Sequence, residues 1–91
     1  MQDYSIDIHL SHPDDMMNLF GSNERHLKMI EDELAVTIHA RTEIVQVLGE
    51  SAEVVELARQ VIEALLVLVN RGMLISTADT ATAISMAKNH N

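Results

Sequence analysis

The stretch VVELARQVIEALLVLV, residues 54–69, constrains this chain more than any other part of it. Val54, Leu57, Ala58, Val61, Ile62, Leu65, Leu66, Leu68 and Val69 recur at helical spacing and make an apolar face too wide to leave in water. Such a helix has to lie on a second layer of structure. In 91 residues that layer is small, and there is room for a single core. Ser51 is placed to cap the helix and Glu53 supports its positive end. Arg71 and Gly72 supply a terminal cation and a glycine at the exit.

Three short alternating segments provide the second layer. In YSIDIHL (4–10), Ile6, Ile8 and Leu10 share one face and Ser5, Asp7 and His9 the other, the period of a half-buried strand. VTIHA (36–40) alternates with Val36, Ile38 and Ala40 inward. A turn near Arg41–Glu43 leads into IVQVLG (44–49), a third strand closed by Gly49. Between the first two strands the spacing predicts two helices. The first runs roughly over 12–19, with Ser11 as N-cap, Pro13 in its first turn and Asp14 and Asp15 at its positive end. It carries Met16, Met17, Leu19 and Phe20 toward the core, and Gly21 ends it. The second begins about Asn23 or Glu24 and presents Leu27, Ile30 and Leu34 as a core stripe, with Arg25, Lys28, Glu31 and Asp32 off it. Beyond Gly72 the composition turns small and polar. Ser76 or Thr77 caps a last helix whose thin apolar face (Ala81, Ile84, Ala87) suits a connector or a surface-docked helix.

The expected fold is therefore α+β in the order β-α-α-β-β-α, a three-stranded sheet packed by helices on one face, plus a C-terminal connector helix. The expected division is a domain over 1–72 and a connector over 73–91.

Composition narrows the functions. Tryptophan is absent and Tyr4 and Phe20 are the only aromatics, so the core is aliphatic. Without cysteine there is no disulfide, thiolate zinc site or cysteine nucleophile, and the expected setting is a reducing cytoplasm. The N-terminus lacks the pattern of a signal peptide, and the run ALLVLV (64–69) is far below the roughly 20 residues that cross a bilayer, so no membrane partner is expected. Six Lys plus Arg against fourteen Asp plus Glu gives a net charge of −8, which leaves few cations for the basic patch that phosphate binding needs.

The segment from Phe20 carries a resemblance. KH sequences run apolar-Gly-x-x-Gly-x-x-Ile-x-x-Ile, followed by an apolar residue eight positions on. Here those positions read Phe20, Gly21, Ser22, Asn23, Glu24, Arg25, His26, Leu27, Lys28, Met29, Ile30, and then Ile38. Gly49 before the long helix and Ala58 within it also fall where KH domains put them. This resembles a KH-like fold of the first type. LFGSNERHLKMIEDELAVTI, then GESAEVVELARQVIEALLVLVNRGMLIS, then an Asp followed by AISMAK, is similar to the N-terminal domain of PhoH-like (phosphate-starvation-inducible) ATPases over about residues 5–88. The resemblance implies a KH-like N-terminal piece of a longer protein, with 73–91 leading to an ATPase domain that uses ATP and Mg in RNA metabolism. No G-x-x-x-x-G-K-[ST] occurs in this chain, so the implied nucleotide site is not in these residues and no cofactor is expected in them. Arg41–Thr42 stands where PhoH-like sequences have Arg-Gly.

A KH clamp passes about four nucleotides over its G-x-x-G loop. Glycine there permits unusual dihedrals and lets a phosphate approach the amides at the next helix's N-terminus. Gly21 keeps part of this. Glu24 stands at the second glycine and repels phosphate; like charges about 4 Å apart cost about 1 kcal/mol in water and about 4 kcal/mol at an effective dielectric of 20. The candidate nucleic-acid-binding residues are Gly21, Ser22, Asn23, Arg25, His26 and Lys28. The competing reading is a solvated helix face in which Lys28 pairs with Glu24 or Asp32. Neither aromatic lies where bases would stack.

Elsewhere the residues point to no active site. His9, His12, His26, His39 and His90 lack metal-ligand spacing. Asp14–Asp15 is explained by a helix's first turn, Glu31–Glu33 by a solvated face, and Met16, Met17 and Met29 by core filling. On the long helix, Val55, Leu66 and Val69 either complete a fully used core face or extend beyond what three short strands bury. In the second case they are a candidate interaction surface for the ATPase domain or for a homo-oligomer. Two functions follow from different classes. One is an accessory module contacting single-stranded RNA through the Gly21–Lys28 region; the other is a protein-interaction or oligomerisation module that binds no nucleic acid.

Overall fold

A computed structural model describes residues 2–89. Its elements run β1 (Tyr4–His9), α1 (Asp15–Phe20), a 3-10 turn (Ser22–Glu24), α2 (Arg25–Leu34), β2 (Thr37–Arg41), β3 (Ile44–Gly49), α3 (Ala52–Asn70) and α4 (Thr77–Asn89). The domain is α+β, with a three-stranded antiparallel sheet ordered β1-β3-β2. His90 lies outside the described residues. Among the described residues, no helix is long and apolar enough to cross a membrane.

Period two places Ile8, Ile38, Val45 and Val47 on the inner face of the sheet, all buried. The opposite face is open. Its register lines up Asp7, Gln46 and His39 in one row across the strands and His9, Ile44 and Arg41 in the next. Helix α3 covers the inner face of β1 and β3, with α1 and α2 packed beside it, and α4 lies on the outside of α2 and α3. Val55, Ala58, Val61, Ile62, Leu65 and Val69 are the buried residues of α3. Burying an aliphatic side chain of this size contributes about 1.5–3 kcal/mol, so α3 is the largest single source of cohesion.

The ends of α3 follow local chemistry. The Ser51 hydroxyl accepts the Val54 N–H at 3.2 Å. At the other end Gly72 takes φ +79, its N–H bonds Val69 O at 2.9 Å, and Met73 N–H reaches back to Leu68 O at 3.1 Å. Those paired bonds form a Schellman exit. Gly49 is required for a different reason, namely close approach. A Cβ there would lie 2.8 Å from Val54 Cγ2 and 2.9 Å from Val55 Cγ2, so its bare backbone is what lets the first turn of α3 seat against β3.

Several sequence expectations are corrected. Helix α1 begins at Asp15, about three residues later than the spacing suggests, because His12–Asp15 closes a turn (Asp15 N–H to His12 O, 3.0 Å). Ser11 does not cap it. Asp15 is buried, and its carboxylate accepts the His12 N–H. Met17 faces solvent, 68% exposed, while Met16 and Met29 stay partly buried. Glu31 is not a freely solvated residue: its Oε2 accepts the Ile38 N–H of β2 at 2.8 Å. Of the two readings of the α3 face, the fully used core face holds: Val55 and Val69 are buried, and Leu66 is partly buried. They are core residues because α1 and α4 widen the surface that α3 packs on.

Helix α4 is docked on the domain. Thr80, Ile84 and Ala87 are buried and Ala81 is exposed. Its start is a reciprocal cap: Asp79 N–H bonds Ser76 Oγ at 3.0 Å and Ser76 N–H bonds Asp79 Oδ2 at 3.0 Å. The Ser76 N–H, and after it the Ser76 hydroxyl, hold the Asp79 carboxyl below the usual carboxylate range.

Two outcomes follow from this packing. Gly49→Ala lowers stability by about 1–3 kcal/mol through overpacking against Val54 and Val55, read as a shift in urea midpoint. Because the folded pKa of Asp79 is depressed, its contribution is present above the ordinary aspartate range and is lost as pH falls through the folded value. Amides of α4 therefore lose protection below about pH 4 relative to those of α3, and Asp79→Asn removes that pH dependence.

Candidate nucleic-acid interface

The connection from α1 to α2 is built from unusual backbone. Gly21 ends α1 at φ +75, ψ −174, a region populated almost only by glycine. Asn23 (φ +56, ψ 24) and Glu24 (φ +56, ψ 35) then both take left-handed conformations before α2 starts at Arg25. Asparagine tolerates that region through local hydrogen bonding; glutamate does so only at a cost. The position where a second glycine would stand therefore has the backbone that favours glycine, although the side chain there is a carboxylate.

His26 holds the loop from beneath. The ring is 3% exposed, and its Nδ1 donates to Leu19 O at 3.0 Å, tying the end of α1 to the first turn of α2. A Cβ on Gly21 would lie 3.0 Å from His26 Cε1. Gly21 is thus set by two demands at once, its dihedral angles and the ring packed under it. Of the candidate binding residues, His26 is the one that the structure takes away from the surface; its part is to position the loop. No spacing in the sequence signals this, since it depends on a contact with a carbonyl seven residues earlier.

Ser22, Asn23, Glu24, Arg25 and Lys28 are exposed together around the loop and the first turn of α2. Among the described residues neither Arg25 nor Lys28 forms an ion pair; the pairing of Lys28 with Glu24 or Asp32 is not made. Ion pairs form elsewhere, between Arg59 and Glu56, Arg59 and Glu63 at 2.7 Å, and Lys88 and Glu33 at 3.5 Å. The Arg59 hydrogen bond, above all, holds the Glu56 carboxyl below its usual range. The two cations beside the loop are therefore free for an outside anion, and the exposed Glu24 carboxylate stands next to Arg25 in the chain. Beyond α2, the Ile38 N–H of edge strand β2 points outward, and the Glu31 carboxylate occupies that donor.

The remaining candidates are scattered. His9 and His39 stand on the open sheet face, but β3 lies between their strands and they fall in different rows. Among the described residues no group of three His, Cys, Asp or Glu converges on a metal position. A groove of about 410 Å³ between α3 and α4 is lined by Gln60, Leu65, Leu68, Asp79, Met86 and neighbouring small residues. It was not evident in the sequence, because it needs the docked position of α4.

The loop geometry has a direct consequence for stability. Glu24→Gly relieves a left-handed glutamate and stabilises the chain by about 0.5–1 kcal/mol, whereas Gly21→Ala destabilises it by about 1–3 kcal/mol. Urea denaturation of the two variants reads both signs.

No protein-family model matches the chain. No solved structure matches it either. A PhoH-like protein of Bacillus subtilis (strain 168) is 37% identical to it over 79 residues, covering 87% of this chain and 24% of the relative. The chain therefore spans about a quarter of the length of the curated relative it matches, and it resembles one part of a PhoH-like protein.

Proposed function

We propose that this chain is a KH-like accessory module of a PhoH-type protein, and that it contacts single-stranded RNA weakly through the Gly21–Glu24 loop, Arg25 and Lys28. The observation that carries the reading is the left-handed backbone at Asn23 and Glu24 running from Gly21 into the start of α2, with two unpaired cations on its first turns. A phosphate at the loop meets helix N-terminal amides and the positive end of the α2 dipole. The order β-α-α-β-β-α with β3 central supports the KH-like assignment. The likeness to part of a PhoH-like protein supports a role beside a P-loop ATPase domain, with ATP and Mg used there and not here.

Weakness is part of the reading. The net charge is −8, the exposed Glu24 places a carboxylate on the loop itself, and Glu31 takes the β2 edge donor that a base would otherwise meet. Those same three features favour the second reading, a protein-interaction module that binds no nucleic acid. Its expected surface is not Val55 and Val69, which are buried, but the exposed Val67, Met73, Leu74 and Met86 of the α3–α4 hairpin.

An NMR titration with short single-stranded RNA separates the two. The RNA reading requires shifts confined to Gly21–Lys28 and the adjacent β2 edge that fade as salt rises. It also requires that Lys28→Glu abolish them and that Glu24→Gly tighten binding about tenfold or more. An unperturbed spectrum at millimolar RNA leaves the interaction module.

A further inference from the structure

The sheet has two edges, and they are finished differently. On β2 the outward Ile38 N–H is capped from within by Glu31. On β1 no element covers the edge among the described residues, and the strand runs from Tyr4 to His9 in unbroken register with β3. Leu10 N–H bonds Glu43 O across from β1 at 2.7 Å, so the even-numbered residues of this strand turn their backbone groups toward β3. The N–H and C=O groups of Ser5, Asp7 and His9 consequently point away from the sheet. A straight edge with no proline, bulge or covering loop is a template for another strand.

Apolar exposure marks the same edge. Tyr4 is 48% exposed and Ile6 only partly buried, although both lie on the face that the helices cover further in.

We propose that β1 pairs antiparallel with β1 of a second copy of this chain, about a two-fold axis at Ile6, to give a continuous six-stranded sheet. The choice of register follows from charge and shape. Centring on Asp7 sets two aspartates directly opposite one another, which is unfavourable. Centring on Ile8 runs the pairing into the turn after His9 and leaves Tyr4 against the partner's His12. Centring on Ile6 keeps every pair within the strands' regular extent except the end pair of His9 and Asp3. Ser5 then faces the partner's Asp7, a hydroxyl against a carboxylate, and His9 faces the partner's Asp3. On the other side of the sheet Tyr4 meets the partner's Ile8, and Ile6 meets the partner's Ile6, so the two undercovered apolar residues gain a neighbour. Ser5 and Asp7 form hydrogen-bonded pairs in this register, each pair exchanging both backbone N–H···O bonds.

Sedimentation equilibrium of the whole chain, from micromolar to near-millimolar concentration, tests this. The proposal expects the mass to rise from monomer to dimer, with amides of Ser5, Asp7 and His9 gaining hydrogen-exchange protection over the same range. Ser5→Lys, exposed and outside the core, tightens the dimer by roughly three- to tenfold and Ser5→Glu weakens it by a similar factor, because each acts twice across the axis. The opposite signs would indicate the Asp7-centred register, in which Ser5 faces the partner's His9, and would overturn the proposal. Asp7→Pro removes an outward donor without touching the β1–β3 ladder and should leave a folded monomer. Should that variant fail to fold, the Ser5 pair decides alone. A chain that stays monomeric throughout, or a dimer indifferent to all three changes, overturns the inference.

Discussion

Everything in this domain depends on α3 finding cover for its apolar side. A three-stranded sheet of five- and six-residue strands has too little surface to stand alone in water, and a helix as apolar as α3 is equally unstable without a partner. Each completes the other. Ala58, Val61, Ile62 and Leu65 meet Val45 and Val47 at the centre, where almost no solvent reaches. The contact is possible because Gly49 leaves room for Val54 and Val55 at the point where β3 gives way to the helix. With β3 central, both other strands are tied to that junction, and α1, α2 and α4 pack around a frame already set.

The α1–α2 loop shows how a backbone can keep a geometry that its side chains no longer favour. Its left-handed turns and buried imidazole hold amides and two cations at the start of α2. Glu24 holds a left-handed conformation that glycine takes more readily, and it adds a carboxylate beside those cations. A carboxylate on the neighbouring strand edge adds to the effect, since Glu31 satisfies internally a donor that would otherwise be available to a ligand. The electrostatics of the loop and its backbone geometry therefore point in different directions.

Much of the fold was legible because it rests on local periodicity. The alternation in YSIDIHL and IVQVLG, the stripe of Leu27, Ile30 and Leu34, and the Ser51 cap and Gly72 exit all appear in space as the spacing implies. The candidate site was less legible. Ala35 ends α2 at φ +55 and Thr42 turns the β2–β3 hairpin at φ +49, and neither residue type announces a left-handed conformation. Thr42 does stand where a glycine would suit the backbone. His26, a candidate binding residue by its position, is a buried strut, and Val55, which the spacing leaves open between core and overhang, is core.

The sequence by itself determined which segments are helix and which are strand, and that one aliphatic core joins them. Those properties depend on side-chain periodicity, capping and turn chemistry within a few residues of one another. Only the tertiary structure decided which polar groups are spent and which remain free. Glu31 reaches Ile38 and His26 reaches Leu19 across seven residues each, α4 folds back onto α2 and α3, and β1 is left as an open edge by the order of the strands. Whether a donor, a charge or a strand edge faces a ligand is set by what packs beside it, and that neighbour is chosen by the fold as a whole.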